Sequence, residues 1–540
     1  MASARVSRER GAVKSRVPAA PDPVRLEVFN QLLAALCEEA GAVLMRGAAS
    51  PNIRERRDFS VALFDAKGRL ISQAAHIPVH LGSAADSVAA VRAELDLERG
   101  DVVMLNDPYR GGTHLPDVTL VRPVFLARDA APRFFLVDRA HHADIGGAVP
   151  GSMAAASELI AEGFVIPPVK LRVRGRANRD VVRLLLANVR GAEERRVDLA
   201  AQEAALERGE ERLRALLDDH GLATVDRYAS HLMGYSERIA RGVVRSLPAG
   251  PFVAEDRIDD DGLGNGPFAI RLTLRARRGE LCFDWTRTAD QAPGGVNANR
   301  SIVVAASVYV LRCLCPERLP TNDGVFRAVR VLTRPGSLLE PRGRAPVAGG
   351  NVETSQRLVD VALDALSHAR KECIPAGSSG TMVNLTLGGS LPDGRAFTSY
   401  ETLPGGAGAG PTRAGASAIQ THMTNTRNTP IEDVERRLPI VVRSLTVRRG
   451  SGGRGRRRGG DGLIKEIELL APAVVSLFAE RMRSAPRGAR GGGSGAALRA
   501  ECTVRAGDGA IELDAKCSRA LPAGARVRIA TPGGGGHGRE

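Results

Sequence analysis

Two short apolar runs, each opening into a loop of potential metal ligands, constrain this chain more than any other feature. Residues 102–117 read "VVMLNDPYRGGTHLPD" and residues 133–147 read "RFFLVDRAHHADIGG". Runs of four to six apolar residues bounded by Gly, Pro, Asn or Asp are too short for a core helix and read as buried strands. The glycines at 111–112 and 146–147 permit tight backbone just beyond them. Strand ends hold ligands on a rigid scaffold where the chain is free to bend. The chain has ten histidines, and three of them, His114, His141 and His142, fall in this window. That concentration makes the window the first place to look for chemistry.

A catalytic metal needs about three protein ligands and an open position. Imidazole and carboxylate donors suit Zn, Mn or Fe, and the window lacks the cysteine of a thiolate site. H-x-x-D, His114 to Asp117, places two candidate ligands on one loop, and a histidine of the second loop would complete a set. The spacing alone leaves two readings open, a metal site or polar loop residues. His76 and His80 in "HIPVH" either add a ligand or pack nearby. Ser152 in "PGSM" has no His and Asp in the order of a hydrolase triad.

The rest of the chain supplies the scaffold. Residues 24–47 carry helical periodicity, with Val28, Leu32, Leu36 and Val43 on one stripe. "FSVALFDAKGRLISQ" reads as two strands bent at Lys67-Gly68. Residues 179–220 and 224–246 read as helices, the first with a charged, solvent-facing side. Near 247–252 the texture changes. "FAIRLTLRARRGELCFDWTRT" reads as two strands with a turn at Arg278-Gly279, "RSIVVAASVYVLRCL" as an apolar helix, and "TSQRLVDVALDALSHAR" as an amphipathic one. The last 170 or so residues read as Gly-rich loops between short strands. The expected architecture is a large multi-domain α+β protein with mixed sheets. It has a disordered tail at 1–20, an α/β region at 21–248 carrying the histidine loops, and a β-rich region at 249–540.

Composition excludes several classes. No apolar run approaches the ~18–20 residues that cross a bilayer, and the charged N-terminus lacks the apolar core of a secretory signal. Seven scattered cysteines read as reduced thiols of a cytoplasmic protein. The net charge is +15. It is spread along the chain, and its densest cluster, "VRRGSGGRGRRRGGDG", has no aromatic residue for base stacking. Nucleic acid and membrane are therefore not expected partners. "GGAGAG" and "TPGGGGHG" lack the G-x-x-x-x-G-K-[ST] pattern of a phosphate loop.

Beyond single motifs, an ordered series along 21–538 resembles the hydantoinase B/oxoprolinase family: "NIRERRDFSVALFD", "QAAHIPVHLGS", "NDPYRGGTHLPDVTLVRPVF", "HHADIGG", "EGFVIPPVKL", "PGSLLEPRGRAPVAGGNVETSQRL", "NTRNTPIEDVE" and "TPGGGG". The resemblance implies one subunit of an ATP-dependent amidohydrolase that opens a cyclic amide of hydantoin, oxoproline or lactam type. ATP would bind a hydantoinase A-type partner, which accounts for the missing phosphate loop. The alternative it carries is the metal-bearing subunit of an ATP-dependent ketone carboxylase. It also implies His114, Asp117 and a histidine of "HHAD", His141 with His142 beside it, as the metal ligands. On that reading the partner phosphorylates the amide oxygen, and a metal-activated water attacks the activated carbon here. Asp144, Glu158 or Asp107 would serve as base or as orienter of a ligand histidine.

This sequence departs from the family pattern at "GAGAGPTRAGAS", at "FDWTRTADQAPGG" and at His537. The departures put the substrate in doubt and leave open a paralogue that assembles without turning over. A basic scaffold protein is the remaining non-enzymatic reading.

Overall fold

The computed structural model describes residues 21–540 apart from 75, 81, 127–128, 392 and 506–508, so the tail expected at 1–20 lies outside the described residues. The histidine window builds the centre of a seven-stranded sheet. Its strands are β1 (Phe59–Asp65), β2 (Leu70–Gln73), β3 (Val102–Leu105), β4 (Asp117–Val124), β5 (Phe134–His141), β6 (Val169–Val173) and β7 (Arg176–Ala177). They lie in the order β2-β1-β5-β4-β3-β6-β7, and every neighbouring pair is antiparallel. The turn between β1 and β2 falls at Lys67-Gly68 as expected, with Gly68 at φ 77°.

Every residue of β3 and β5 is buried because helices cover both faces. On one face, helices Pro23–Gly47 and Ala192–His220 pack Phe29, Leu33 and Leu206 onto Val61, Phe134 and Leu136. On the other, helix Ser83–Glu94 lays Val88 and Val91 over Val103, Phe135 and Val137. Successive β5 side chains thus feed opposite layers, as strand geometry requires. Each such fully buried side chain contributes about 1.5–3 kcal/mol.

Two helical expectations change in detail. The stretch 179–220 is two helices, Arg179–Ala187 and Ala192–His220, broken where Gly191 takes φ 64°. The Pro23–Gly47 helix is long and apolar enough to pass as a membrane span by composition. In the fold its Phe29, Leu33, Leu36, Ala40 and Leu44 are buried against the sheet and the Ala192–His220 helix.

The second half is richer in strand, as its sequence suggests. Phe252–Ile258, Phe268–Arg277, Glu280–Asp284 and Val329–Leu332 form a four-stranded sheet, its last pair parallel. Helices Arg300–Leu314 and Ser355–Ser367 pack on it through a large shared core. A further four-stranded and a five-stranded sheet follow. Among the described residues the whole is α+β with several sheets, of which only the four-stranded sheet of Phe252–Ile258 to Val329–Leu332 is mixed.

The Gly-rich segments are not loops in the ordinary sense. Residues 405–410, 451–460, 488–495 and 533–538 run side by side and hydrogen-bond to one another outside any strand. Gly453 N donates to Gly534 O, Gly534 N to Gly460 O, and Gly460 N to Ala407 O, each at 2.9 Å. A Cβ added to Gly460 would run into the Ala416 carbonyl, one on Gly534 into the Ala407 carbonyl, and one on Gly536 into the Arg454 carbonyl. Backbone packs directly on backbone there. The segments carry no hydrophobic periodicity because no side chain mediates their contact.

Candidate metal centre

The register of the first sheet creates the site. Asp117 is the first residue of β4, His141 is the last of β5, and the two are direct cross-strand partners. His114 stands one tight turn before Asp117, whose N–H donates to the His114 carbonyl at 3.2 Å. The 106–116 connection is held in shape from several sides. Gly111 adopts φ 93°, and a Cβ there would meet the Asp86 carbonyl at 2.7 Å. Buried Arg139 and Ser87 both donate to the Gly111 carbonyl. Asn299, far along the chain, donates to the carbonyls of Gly112 and Thr113.

His114, Asp117 and His141 each offer a ligand atom, and these atoms lie within 4.8 Å of one another. All three residues are buried, the most exposed at 2%. His114 Nδ1 is 3.2 Å from Asp117 Oδ2, and His141 Nδ1 is 3.5 Å from Asp117 Oδ1. Asp117 Oδ2 also accepts from Thr113 Oγ1 at 3.0 Å and lies 3.2 Å from His80 Nε2. Burial alone would raise the Asp117 carboxyl. The close His114, His80 and His141 rings outweigh it and hold the group well below the usual carboxylate range. Burial lowers His141, against the pull of Asp117, and so favours the neutral ring that a metal needs.

The second half of the chain closes the site. The π-helical turn Gly350–Thr354 brings Asn351 Nδ2 to 3.5 Å from His114 Nε2. Such turns recur at functional sites. The Tyr400 ring stacks on His141, with centroids 4.4 Å apart, and its hydroxyl donates to Asn384 Oδ1 at 2.8 Å. Asn384 in turn donates to Glu353, whose carboxyl burial pushes up to about 7. A cavity of about 20 Å³ opens between these walls, lined by Asp58, His80, Asp117, His141, Asn351 and Tyr400 and by the apolar Ile77, Val79, Met382 and Met423. That is room for about one water molecule.

Of the residues singled out in the sequence, His114, Asp117 and His141 meet. His142 does not, and the reason is strand alternation. The His141 side chain lies on the face that carries Arg139, whereas His142 lies on the opposite face beside Asp138. His142 Nε2 is 2.9 Å from Gln202 Oε1, and Gln202 Nε2 donates to Asp138 Oδ1 at 2.8 Å. Burial holds His142 down at about 4.

The three candidate bases are also placed elsewhere, and none lines the cavity. Asp144 accepts from the N–H groups of Gly146, Gly151 and Arg190 and so ties its own loop together. Asp107 accepts from Tyr109 N at 2.9 Å within its turn. Glu158 is exposed just before helix Leu159–Glu162. Besides Asp117, the carboxylate residue that lines the cavity is buried Asp58, whose backbone carbonyl accepts from His141 N at 3.0 Å. Its only sequence signal is its position immediately before β1. His80 joins the cluster through Asp117, with its Nδ1 fixed 2.9 Å from Ser60 Oγ.

The donor set fits a divalent cation. His114 Nδ1, Asp117 Oδ1 and His141 Nε2 are buried without a hydrogen-bond partner among the described residues, and each such orphan costs about 1–3 kcal/mol unless something satisfies it. Two imidazoles and a carboxylate are the chemistry of Zn, Mn and Fe sites.

Comparison with known proteins agrees with this architecture. The chain is 36% identical to the 5-oxoprolinase of Dictyostelium discoideum over 82% of its own length, and spans about a third, 35%, of that protein. It is 30% identical to a protein of Pseudomonas sp. (strain NS671) described as a B-type subunit of a D-/L-hydantoinase, over 82% of this chain and 78% of that one. The crystal structure of the ATP-dependent caprolactamase from Pseudomonas jessenii superposes with a TM-score of 0.90 at 29% identity, over 96% of this chain and 91% of that one. The sequence profile of the hydantoinase B/oxoprolinase family matches residues 22–540, and the chain belongs to that family.

Proposed function

We propose that the chain is the metal-bearing hydrolytic component of an ATP-dependent system that opens a cyclic amide, working with a hydantoinase A-type partner that holds the ATP. The observation that carries this reading is the buried His114–Asp117–His141 set, with three unsatisfied donor atoms beside a water-sized cavity. The relatives named above support the reaction class, and the relative described as one subunit of a hydantoinase supports a partner.

A divalent metal held by His114, Asp117 and His141 would supply a hydroxide at neutral pH by lowering the pKa of bound water. The remaining work belongs to the chain. Asp58 is the carboxylate placed to take a proton from water in the cavity. Tyr400 stacks on His141 and fixes its plane, and Thr113 and His80 orient Asp117. Ile77, Val79, Met382 and Met423 keep bulk water from the cavity, so that the water held there is the one that meets an activated amide arriving from the partner. Each turnover consumes one ATP and two waters: one water adds at the activated carbon as the ring C–N bond breaks, the other releases the phosphoryl group as inorganic phosphate, and the products are ADP, phosphate, a carboxylate and an amine, or a ureido group where the ring is a hydantoin.

The test uses the chain purified with its A-type partner. ATP hydrolysis and ring opening are followed over hydantoins, 5-oxoproline and lactams, with a ketone-plus-bicarbonate arm for the carboxylase reading. Ring opening that needs ATP, both chains and His114 is expected. Carboxylation without ring opening, or ring opening by this chain alone, would overturn the proposal.

A further inference from the structure

Behind the wall of the metal cavity lies a second, larger space. A cleft of about 360 Å³ is lined by Arg57, Arg427, His76, Asn425, Glu38 and Phe59, among others. Cleft and cavity are back to back, because neighbouring residues of three segments alternate between them. Asp58 and His80 face the cavity, whereas Arg57, Phe59 and His76 face the cleft. Met423 and Thr424 line the cavity, whereas Asn425 and Arg427 line the cleft. Asn425 Nδ2 ties the segments together by donating to the His76 carbonyl at 3.1 Å.

The cleft's polar lining is built for an anion. Neither the Arg57 nor the Arg427 guanidinium makes a hydrogen bond or ion pair among the described residues, and both residues are exposed where they line the cleft, so an anion from solvent can reach them. Arg57 is moreover held at φ 57°, a backbone conformation that costs energy for a non-glycine residue and clusters at functional sites. His76 Nδ1 accepts from Val61 N at 3.3 Å. Burial keeps that ring down at about 4 and hence neutral, so its proton sits on Nε2 and it adds a donor without a charge. Glu38 is the one carboxylate in the lining, with its Oε2 3.7 Å from His76 Nε2. Two free guanidiniums against one carboxylate leave the cleft net positive. Gly41 sits against the His76 ring, where a Cβ would meet Cε1 at 2.6 Å, so the packing of this wall is close and specific.

We propose that this cleft is an oxyanion-binding site that captures the phosphate or carboxylate group of a small molecule on its way to or from the adjoining metal centre. The assignment of the captured molecule rests on the hydrolytic reading above. A phosphoryl-activated intermediate brings a phosphate, and an opened cyclic amide carries a new carboxylate. Planar guanidinium forks suit both groups, and the shared wall keeps the captured molecule beside the site of reaction.

The test is calorimetric titration of the full chain with inorganic phosphate and, separately, with glutarate, at constant ionic strength. The variants are Arg57→Gln, Arg427→Gln and, as a remote surface control, Arg318→Gln. Binding that weakens about tenfold in each cleft variant, and not in the control, is expected for the loss of a charge-assisted hydrogen bond. Tighter phosphate binding assigns the site to the activated intermediate, and tighter glutarate binding assigns it to the carboxylate product. No binding of either anion, or binding equally affected by the control, would overturn the proposal. Metal content measured on the same samples separates the two readings: cleft variants that keep their metal but bind anions normally refute this site and leave the hydrolytic reading standing.

Discussion

Consider replacing His141 and His142 by alanine, one at a time. The residues are adjacent and both are buried, yet strand alternation sends them to opposite faces of the sheet. For His142 the cost is structural. Its loss leaves Gln202 Oε1 without its partner at 2.9 Å, worth about 1–3 kcal/mol, and opens an imidazole-sized cavity that adds to it. A stability loss of about 2–4 kcal/mol is expected, with metal content unchanged. For His141 the cost is a ligand. Removing a partner one shell outside a metal already weakens binding by about 10–100-fold, so losing one of three donors is expected to exceed that. Metal bound at about a thousand times its Kd stabilises the fold by about 4 kcal/mol, and His141→Ala forfeits that increment. Elemental analysis after dialysis, with urea unfolding measured with and without chelator, reads both effects. Wild type and His142→Ala should lose stability on chelation, and His141→Ala should not respond. If His141→Ala retains metal, or both variants lose it equally, the register argument for the site is wrong.

Three further outcomes follow from the geometry. Asp58→Asn should leave metal content intact, because Asp58 is outside the His114–Asp117–His141 set, while lowering turnover with the partner by about 100-fold, as removal of a general base does; steady-state kinetics checks it. His76, whose ring burial lowers to about 4, is more easily protonated in the unfolded chain. The stability it confers is therefore full above pH 6.5 and is lost as pH falls from there toward 4, by up to about 3 kcal/mol. Urea midpoints against pH should show that decline, and His76→Gln should flatten it. Gly460→Ala should cost about 3–5 kcal/mol, since the added methyl forces the Ala416 carbonyl away and breaks two backbone hydrogen bonds on top of overpacking. Gly394, at φ 82° with nothing within 4 Å of a built Cβ, supplies the contrast. Its alanine variant should cost only the backbone strain, about 1–2 kcal/mol, and equal midpoint shifts for the two would refute the close-packing account.

Much of the site was legible in the sequence because its core is local. His114 and Asp117 share one turn, and the apolar run before His141 marks a strand end. The start of strand β4 carries no sequence signal of its own, since Asp117 reads as the end of a loop until the pairing with His141 shows it to be the start of a strand. His142 reads as a companion of His141 because proximity in sequence hides a period of two. Asp58 was invisible for a different reason: nothing marks a lone carboxylate ahead of a strand until a second strand end arrives beside it. Asn299, Asn351 and Tyr400 reach the site from about 190 to 290 residues away, and no spacing rule spans that distance. The family resemblance supplied the specificity that local spacing lacked. Three carboxylates expected near the metal, Asp107, Asp144 and Glu158, stand in or beside the right loops but hold turns or face solvent. Loop membership fixes a residue's neighbourhood and not its direction.

The glycine segments change how the rest of the chain tolerates drift. A hydrophobic core accepts exchange of one aliphatic residue for another because volume can be traded between neighbours. Where main chain lies against main chain there is nothing to trade. Every change at either of the first two bases of a glycine codon that still encodes an amino acid adds a side chain, and at positions such as Gly460, Gly534 and Gly536 there is no room for one. The close-packed glycines of these segments are thus a set of codons in which nearly all single-base coding changes are opposed by geometry. A saturation library should show it as a block of silent third bases between forbidden first and second ones.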